Sequence, residues 1–309
     1  MKAMVTGATG MIGRRLCTRL LDSGAELIVL SRNPEKPIFT GQNVRVEKWP
    51  QKVNKTWADS LEGVDAVINL AGESIAAVRW TADKKARILN SRKKAAAIMA
   101  ESIELAEQKP GILVQASAIG IYGDRQDEEL DESSGTGAGF LADVCKVWEN
   151  SSSLSGNQTR RVIIRIGKVL GKTGLLPRLA LPYRLFAGGH MGSSRRWFSW
   201  IHIDDVVSAV MFAINNPAME GVFNLTAPEP VLTKEFNETL ARILNRPCWF
   251  HIPDLAIRLF MGQMGEELLL SGQKVFPSNL LKAGFQFKYT RLDNALKDLL
   301  KEGRDGVLL

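Results

Sequence analysis

The stretch that most constrains this chain is its opening. A short apolar run, Ala3-Met4-Val5, meets Thr6-Gly7-Ala8-Thr9-Gly10-Met11-Ile12-Gly13, and an apolar-periodic segment follows through Leu16, Leu20 and Leu21. Then come Ala25-Glu26-Leu27-Ile28-Val29-Leu30 and Ser31-Arg32-Asn33-Pro34. That order predicts strand, glycine turn, helix, strand: a βαβ unit with a nucleotide-binding turn at its first junction. Gly7 lets the chain leave the strand sharply. Gly10 lets backbone approach a pyrophosphate, and Gly13 lets the helix lie close on the sheet. The helix N-terminus then offers free N–H groups and a positive dipole end to phosphate.

The end of the second strand bears on which dinucleotide is bound. A carboxylate there holds a ribose 2′-OH and repels a 2′-phosphate. This chain has Ser31-Arg32 instead, with no acid before Glu35. A hydroxyl beside a guanidinium suits a phosphate dianion, so NADP(H) is the expected cofactor. A solvated surface arginine is the competing reading.

Alternation continues along the chain. Val44–Trp49, Asp65–Glu73, Ile112–Ala118 and Arg161–Gly167 read as strands. Thr81–Glu107 and Phe140–Ser152 read as helices. Strands separated by helices predict an α/β fold with a doubly wound parallel sheet. Residues 1–172 plus 200–228 are expected to form the Rossmann domain. Residues 173–199 plus 229–309 are expected to form a small, interwoven C-terminal lobe on the substrate side. Thr233 is read as the N-cap of a helix ending at Leu244, a further helix is expected from Ile252 to Met261, and a last one from Leu292 to Glu302.

Bulk properties exclude several classes. A net charge of +7 without a basic run interleaved with aromatics argues against nucleic acid. Cys17, Cys145 and Cys248 are odd in number and widely spaced, so neither a disulfide frame nor a metal site is expected. No run of 18 apolar residues occurs, which argues against a membrane span. Because the first strand starts at once, no signal peptide is expected, and the chain reads as cytoplasmic and reduced.

Several motifs together carry a family resemblance. They are Thr6–Gly13, Asn69-Leu70-Ala71-Gly72-Glu73, Tyr122-Gly123-Asp124, Trp200–Val206 and Gly221–Leu225. On them the chain resembles an atypical extended short-chain dehydrogenase/reductase of the NAD-dependent epimerase/dehydratase superfamily. Gly188-Gly189, Gly192-Ser193, Ser271–Pro277 and Ala283–Phe287 add a likeness to its nucleoside-diphosphate-sugar epimerase-like, or cell-division-inhibitor-like, branch. The resemblance implies a cofactor site over Gly7, Thr9, Gly10, Met11, Ile12, Ser31 and Arg32, with Leu70, Ala71, Gly72 and Arg165 as neighbours. It implies oxidoreductase or epimerase chemistry on a small, sugar-nucleotide-like molecule, and it admits a homodimer. Arginines between Thr173 and Ser199 would suit an anionic substrate, although Arg195-Arg196 reads equally well as an exposed turn.

One departure matters more than these matches. The superfamily's usual Tyr-x-x-x-Lys pair, in which the lysine lowers the tyrosine pKa for proton exchange, has no counterpart. The chain has three tyrosines, and Tyr122, Tyr183 and Tyr289 are followed at +4 by Gln126, Ala187 and Asp293. Anchored on Glu149, the expected tyrosine and lysine positions hold Leu141 and Cys145, and a register shifted by one gives Ala142 and Lys146, still without a phenol. Ser117 and Tyr122 head the substitutes, followed by Cys145, Lys146 and His202. Three readings stay open: another side chain is the acid, substrate or water supplies the proton, or the protein binds NADPH without turnover and acts as a regulator.

Overall fold

The computed structural model describes residues 1–300 except 51, 77, 78 and 157. Its centre is a seven-stranded, wholly parallel sheet: β1 (Lys2–Thr6), β2 (Glu26–Ser31), β3 (Val44–Lys48), β4 (Ala66–Asn69), β5 (Ile112–Ala118), β6 (Arg160–Ile166) and β7 (Gly221–Leu225), in the order β7-β6-β5-β4-β1-β2-β3. The order reverses beside β1. In open α/β sheets such a switch point leaves a crevice at the carboxyl ends of the strands. This is the doubly wound α/β architecture that strand–helix alternation predicts.

Register explains why both faces are apolar. Met4 lies beside Ile28 and Val67, and Val67 beside Leu113, in one row; Val5, Val29, Ile68 and Val114 form the next. Because side chains alternate across a strand, the rows face opposite ways. The first packs with Met99 and Ile103 of helix α2 (Ala82–Leu105). The second packs with Leu16 and Leu20 of α1 (Met11–Asp22) and with Val206 and Val210 of a helix starting at Ile203. Each fully buried Val, Leu or Ile contributes roughly 1.5–3 kcal/mol by leaving water.

After β5 the chain runs through α3 (Phe140–Asn150), α4 (Leu175–Arg184), α5 (Ile203–Asn215), α6 (Thr233–Leu244), α7 (Asp254–Leu269) and α8 (Leu292–Leu300). Short strands stitch distant segments together. Lys168–Leu170 pairs with Trp200–His202, Gly189–Met191 with Phe250–Ile252, and Glu129–Leu130 with Lys274–Val275. A separate core of Tyr183, Trp200, Phe236, Leu240 and Leu296 fills the space among α4, α6 and α8.

Not every expected helix boundary holds. Thr81 caps α2, its side chain accepting the Lys84 N–H at 3.2 Å, as its position suggests. Thr233 does not cap α6: the residue before it, Leu232, holds the extended cap conformation, and Thr233 is already helical. The helix expected to stop at Met261 does break there: Gly262 is non-helical, with a φ of +57° that glycine tolerates, and a second helical stretch, included in α7, continues to Leu269. The last helix is described to Leu300, and residues 301 and 302 lie outside the described residues.

Candidate functional site

The opening turn is built by close backbone contact. Gly7 has φ +72°, and a Cβ there would fall 2.6 Å from the Leu70 carbonyl oxygen. A Cβ on Gly13 would fall 2.3 Å from the Gly7 oxygen, so only glycine lets α1 press on the turn. Gly10 caps α1 with no side-chain acceptor, and the first turn carries no acid. The helix end is left uncapped, with Thr9 and Gly10 exposed and Met11 and Ile12 half-buried, and it presents N–H groups and dipole to an anion. Met11 leans on the loop after Lys168–Leu170: its sulfur would lie 2.7 Å from a Cβ on Gly171.

Neighbouring strand ends are pinned by a buried polar chain that sequence reading missed. Thr6 Oγ1 donates to Asn69 Oδ1 at 2.6 Å, and Asn69 Nδ2 donates to Gln115 Oε1 at 2.8 Å. The Leu70 and Ala71 N–H groups both donate to Thr6 Oγ1 at 3.1 Å. This fixes the half-buried Leu70–Ala71 backbone across the mouth of the turn, with Gly72 exposed beyond it. The only advance signal was polar residues inside apolar strands. At the end of β2, Ser31 is half-buried, its hydroxyl accepting the Asn33 N–H at 3.1 Å, and Arg32 is exposed. Trp49 packs with the apolar cluster under β2.

Beyond the carboxyl ends of β5 and β6 lies a cavity of about 390 Å³. Ala118, Ile166 and Gly167 form its floor, Leu141, Val144, Cys145 and Trp148 of α3 one wall, and Arg258, Glu266 and Glu267 of α7 another. Glu267 joins the two walls by accepting the Phe140 and Leu141 N–H groups at 3.0 and 2.8 Å, which caps α3 from outside. Arg92 and Lys168 also line the cavity, and sequence reading named neither. Burial pushes the Lys168 ammonium down to about 8.

The residues expected to do proton chemistry sit elsewhere. Glu149 receives Arg165 Nε and Nη2 at 2.9 Å each, and Ser117 Oγ donates to the same carboxylate at 2.6 Å. Arg165 Nη1 donates to Tyr122 Oη at 3.0 Å, and Tyr122 donates to Asn224 Oδ1 at 2.9 Å. Ser117 and Tyr122 are shut off from solvent and do not line the cavity. Burial pushes the Tyr122 phenol up despite the nearby Arg165 charge, the reverse of what proton exchange near neutrality requires. Arg165, expected as a cofactor neighbour, spends its guanidinium inside the protein. Burial opposes that charge, but the Glu149 carboxylate outweighs it and holds the guanidinium above its usual range.

The reserve candidates fare similarly. Cys145 faces the cavity, but burial pushes its thiol up to about 11. Lys146 pairs with Asp143 at 3.2 Å on the helix surface. His202 caps α5, Nδ1 accepting the Asp204 N–H at 3.0 Å, and stacks on Tyr289 at 3.8 Å between ring centroids. Burial lowers its pKa. In the segment from Thr173 to Ser199, Arg184 and Arg195 are exposed, while Arg196 lines the cavity and is held by Asp254 at 2.6 Å. Within the acidic loop Glu132 accepts the Asn224 and Asn279 N–H groups at 2.7 and 3.1 Å, a structural role. Among the described residues no helix is long and apolar enough to cross a membrane. Among the same residues no group of three or more His, Cys, Asp or Glu could hold a metal.

Comparison with known proteins agrees with this geometry. A model described as the NAD dependent epimerase/dehydratase family matches residues 3–226, and one described as a domain of unknown function matches residues 252–299. The chain is 38% identical over 307 residues to an "Epimerase family protein SDR39U1 homolog, chloroplastic" of Arabidopsis thaliana, covering 97% of this chain and 87% of that protein. It is 35% identical to "Epimerase family protein YfhF" of Bacillus subtilis, covering 98% and 99%. A crystal structure of human epimerase family protein SDR39U1 with NADPH superposes with a TM-score of 0.85 at 32% identity, covering 97% of this chain and 99% of that one.

Proposed function

The chain belongs to the NAD dependent epimerase/dehydratase family, and on that premise we propose that it is an NADP(H)-binding, atypical extended short-chain dehydrogenase/reductase that acts on a small carbonyl or alcohol compound. The residues fit the cofactor. The uncapped start of α1 suits the diphosphate, and Gly7 and Gly13 leave no Cβ where backbone must close. Leu70 and Ala71 are pre-set across the turn by Thr6. When bound, the cofactor supplies two-electron redox chemistry; the chain supplies binding, orientation and exclusion of water. NADPH in the human relative's crystal structure supports the choice of cofactor.

The observation that carries the preference for NADP(H) is Ser31-Arg32 at the exposed end of β2, with no carboxylate before Glu35. Titration of the purified protein with NADPH and NADH, followed by cofactor fluorescence, tests it. NADPH should bind more tightly, and equal affinity or no affinity for either would overturn the assignment.

A non-catalytic NADPH-binding regulator is the second reading. The burial of Ser117 and Tyr122 in one ion-pair network favours it. Adding a panel of carbonyl compounds to the NADPH complex separates the two. Substrate-dependent oxidation supports the enzyme, whereas slow oxidation at one rate throughout supports the regulator.

A further inference from the structure

Four cations line the cavity, and two of them have a carboxylate of their own. Arg196 is answered by Asp254 at 2.6 Å and Arg258 by Glu266 at 3.6 Å. Arg92 and Lys168 pair with no carboxylate among the described residues. Arg92 lies with Cζ 4.9 Å from the Trp148 ring centroid, and its Nη1 donates to the Glu73 and Ile88 carbonyls at 3.0 and 3.2 Å. Its Nε and Nη2 have no protein acceptor among the described residues, and they lie where a Cβ on Gly72 would come within 3.2–3.3 Å. Lys168 Nζ sits 5.1 Å from the Phe198 ring centroid. Of the acids of the wall, Glu267 is held by α3 and Glu266 by Arg258, while Asp124 accepts the Gly272 N–H at 3.3 Å and forms no ion pair with Arg92 or Lys168.

Partly desolvated cations on apolar walls call for a counter-charge, and where the protein offers none a ligand can supply it. A guanidinium and an ammonium lining one cavity together attract the charge of a carboxylate. Leu141, Val144 and Leu268 give the cavity apolar walls, with Ser271 and Gln273 also lining it. At about 390 Å³ the cavity stands at the small end of the roughly 300–1,000 Å³ typical of ligand sites. We infer that this cavity binds a compact organic carboxylate with an apolar body, its carboxylate held between Arg92 and Lys168. The inference deepens the enzyme reading above by naming a substrate class, and it rests on that reading only for the word substrate.

The test is calorimetric titration of the full-length protein, without cofactor, using benzoylformate and its uncharged methyl ester. The acid should bind, and the ester should bind about tenfold more weakly or not at all. Lys168→Met, which keeps the stem and removes the charge, should weaken the acid about tenfold and leave the ester unchanged. Arg92→Gln should do the same. Because Arg92 also holds two carbonyls, Lys168→Met decides if that variant fails to fold. Equal binding of acid and ester, or an unaltered Lys168→Met variant, would overturn the inference. So would UDP-glucose binding more than tenfold tighter than benzoylformate with the same dependence on Lys168. NADPH titration of the same preparation keeps the questions apart: failure there with carboxylate binding intact removes the oxidoreductase reading and leaves this site standing.

Discussion

Glu149 and Arg165 face each other in a two-pronged ion pair, Nε to Oε1 and Nη2 to Oε2 at 2.9 Å each, with both side chains about nine-tenths buried. Ser117 and Tyr122 complete the cluster. Removing one partner of a buried pair leaves the other charge stranded, at a cost of about 3–5 kcal/mol. Glu149→Gln should therefore lower the stability measured by urea unfolding by about that much. A double Glu149→Leu/Arg165→Met variant should recover a large part of the loss.

At the end of β2 the prediction concerns selectivity. Arg32→Ala should remove a charge-assisted contact to the 2′-phosphate, about 1.5–3 kcal/mol, and so weaken NADPH about ten- to a hundredfold. NADH should change by less than about threefold. Fluorescence titration with both nucleotides reads the difference, and equal losses would sink the assignment.

Gly13 gives a steric prediction. Gly13→Ala sets a methyl 2.3 Å from the Gly7 oxygen and 2.7 Å from the Ala8 Cα, both backbone, so no side chain can step aside. Overpacking of this kind costs about 1–3 kcal/mol. Thermal unfolding should show a Tm lower by roughly 2–8 °C, and NADPH binding should fall with it.

Lys168 gives the pH dependence. Its ammonium is pushed down to about 8 by burial, so the charge that would hold a carboxylate is present below that pH and lost above it. Asp124, Glu266, Glu267, Arg92, Arg196 and Arg258 face the same cavity, but carboxylates and guanidinium groups as classes titrate well outside pH 7 to 9. The Cys145 thiol, at about 11, also stays protonated there. Benzoylformate affinity should thus fall between pH 7 and 9, with a carboxylate partner moving the midpoint upward. Lys168→Arg should flatten the profile, and a profile unchanged in that variant would remove Lys168 from the site.

The sheet was legible because its evidence is local. Ile112–Ala118 and the helix after Thr81 follow from a short apolar run and from apolar residues recurring along one helical side. The glycine turn was legible because Gly7 and Gly13 answer to contacts within a few residues and to one neighbouring strand. The Arg165 ion pair was not legible because its partner, Glu149, stands on a helix sixteen positions earlier, and no spacing rule brings the two together. Lys168 passed unnoticed since its character comes from burial beside Phe198, thirty residues onward. The helical stretch after Gly262 was not foreseen, because its hold on α3 through Glu267 comes from more than a hundred residues away.

That break gives α7 two fastenings of different chemistry. Beyond it, Glu267 is clasped to the backbone amides that begin α3; before it, Asp254 is tied to the partly exposed Arg196. Dissolved electrolyte loosens a solvent-facing ion pair more than an acceptor seated on amides. Added salt should therefore reach the Asp254–Arg196 contact first, while the Ser193 N–H, 2.8 Å from Asp254, and the Arg258–Glu266 pair across the break keep the two halves of α7 joined.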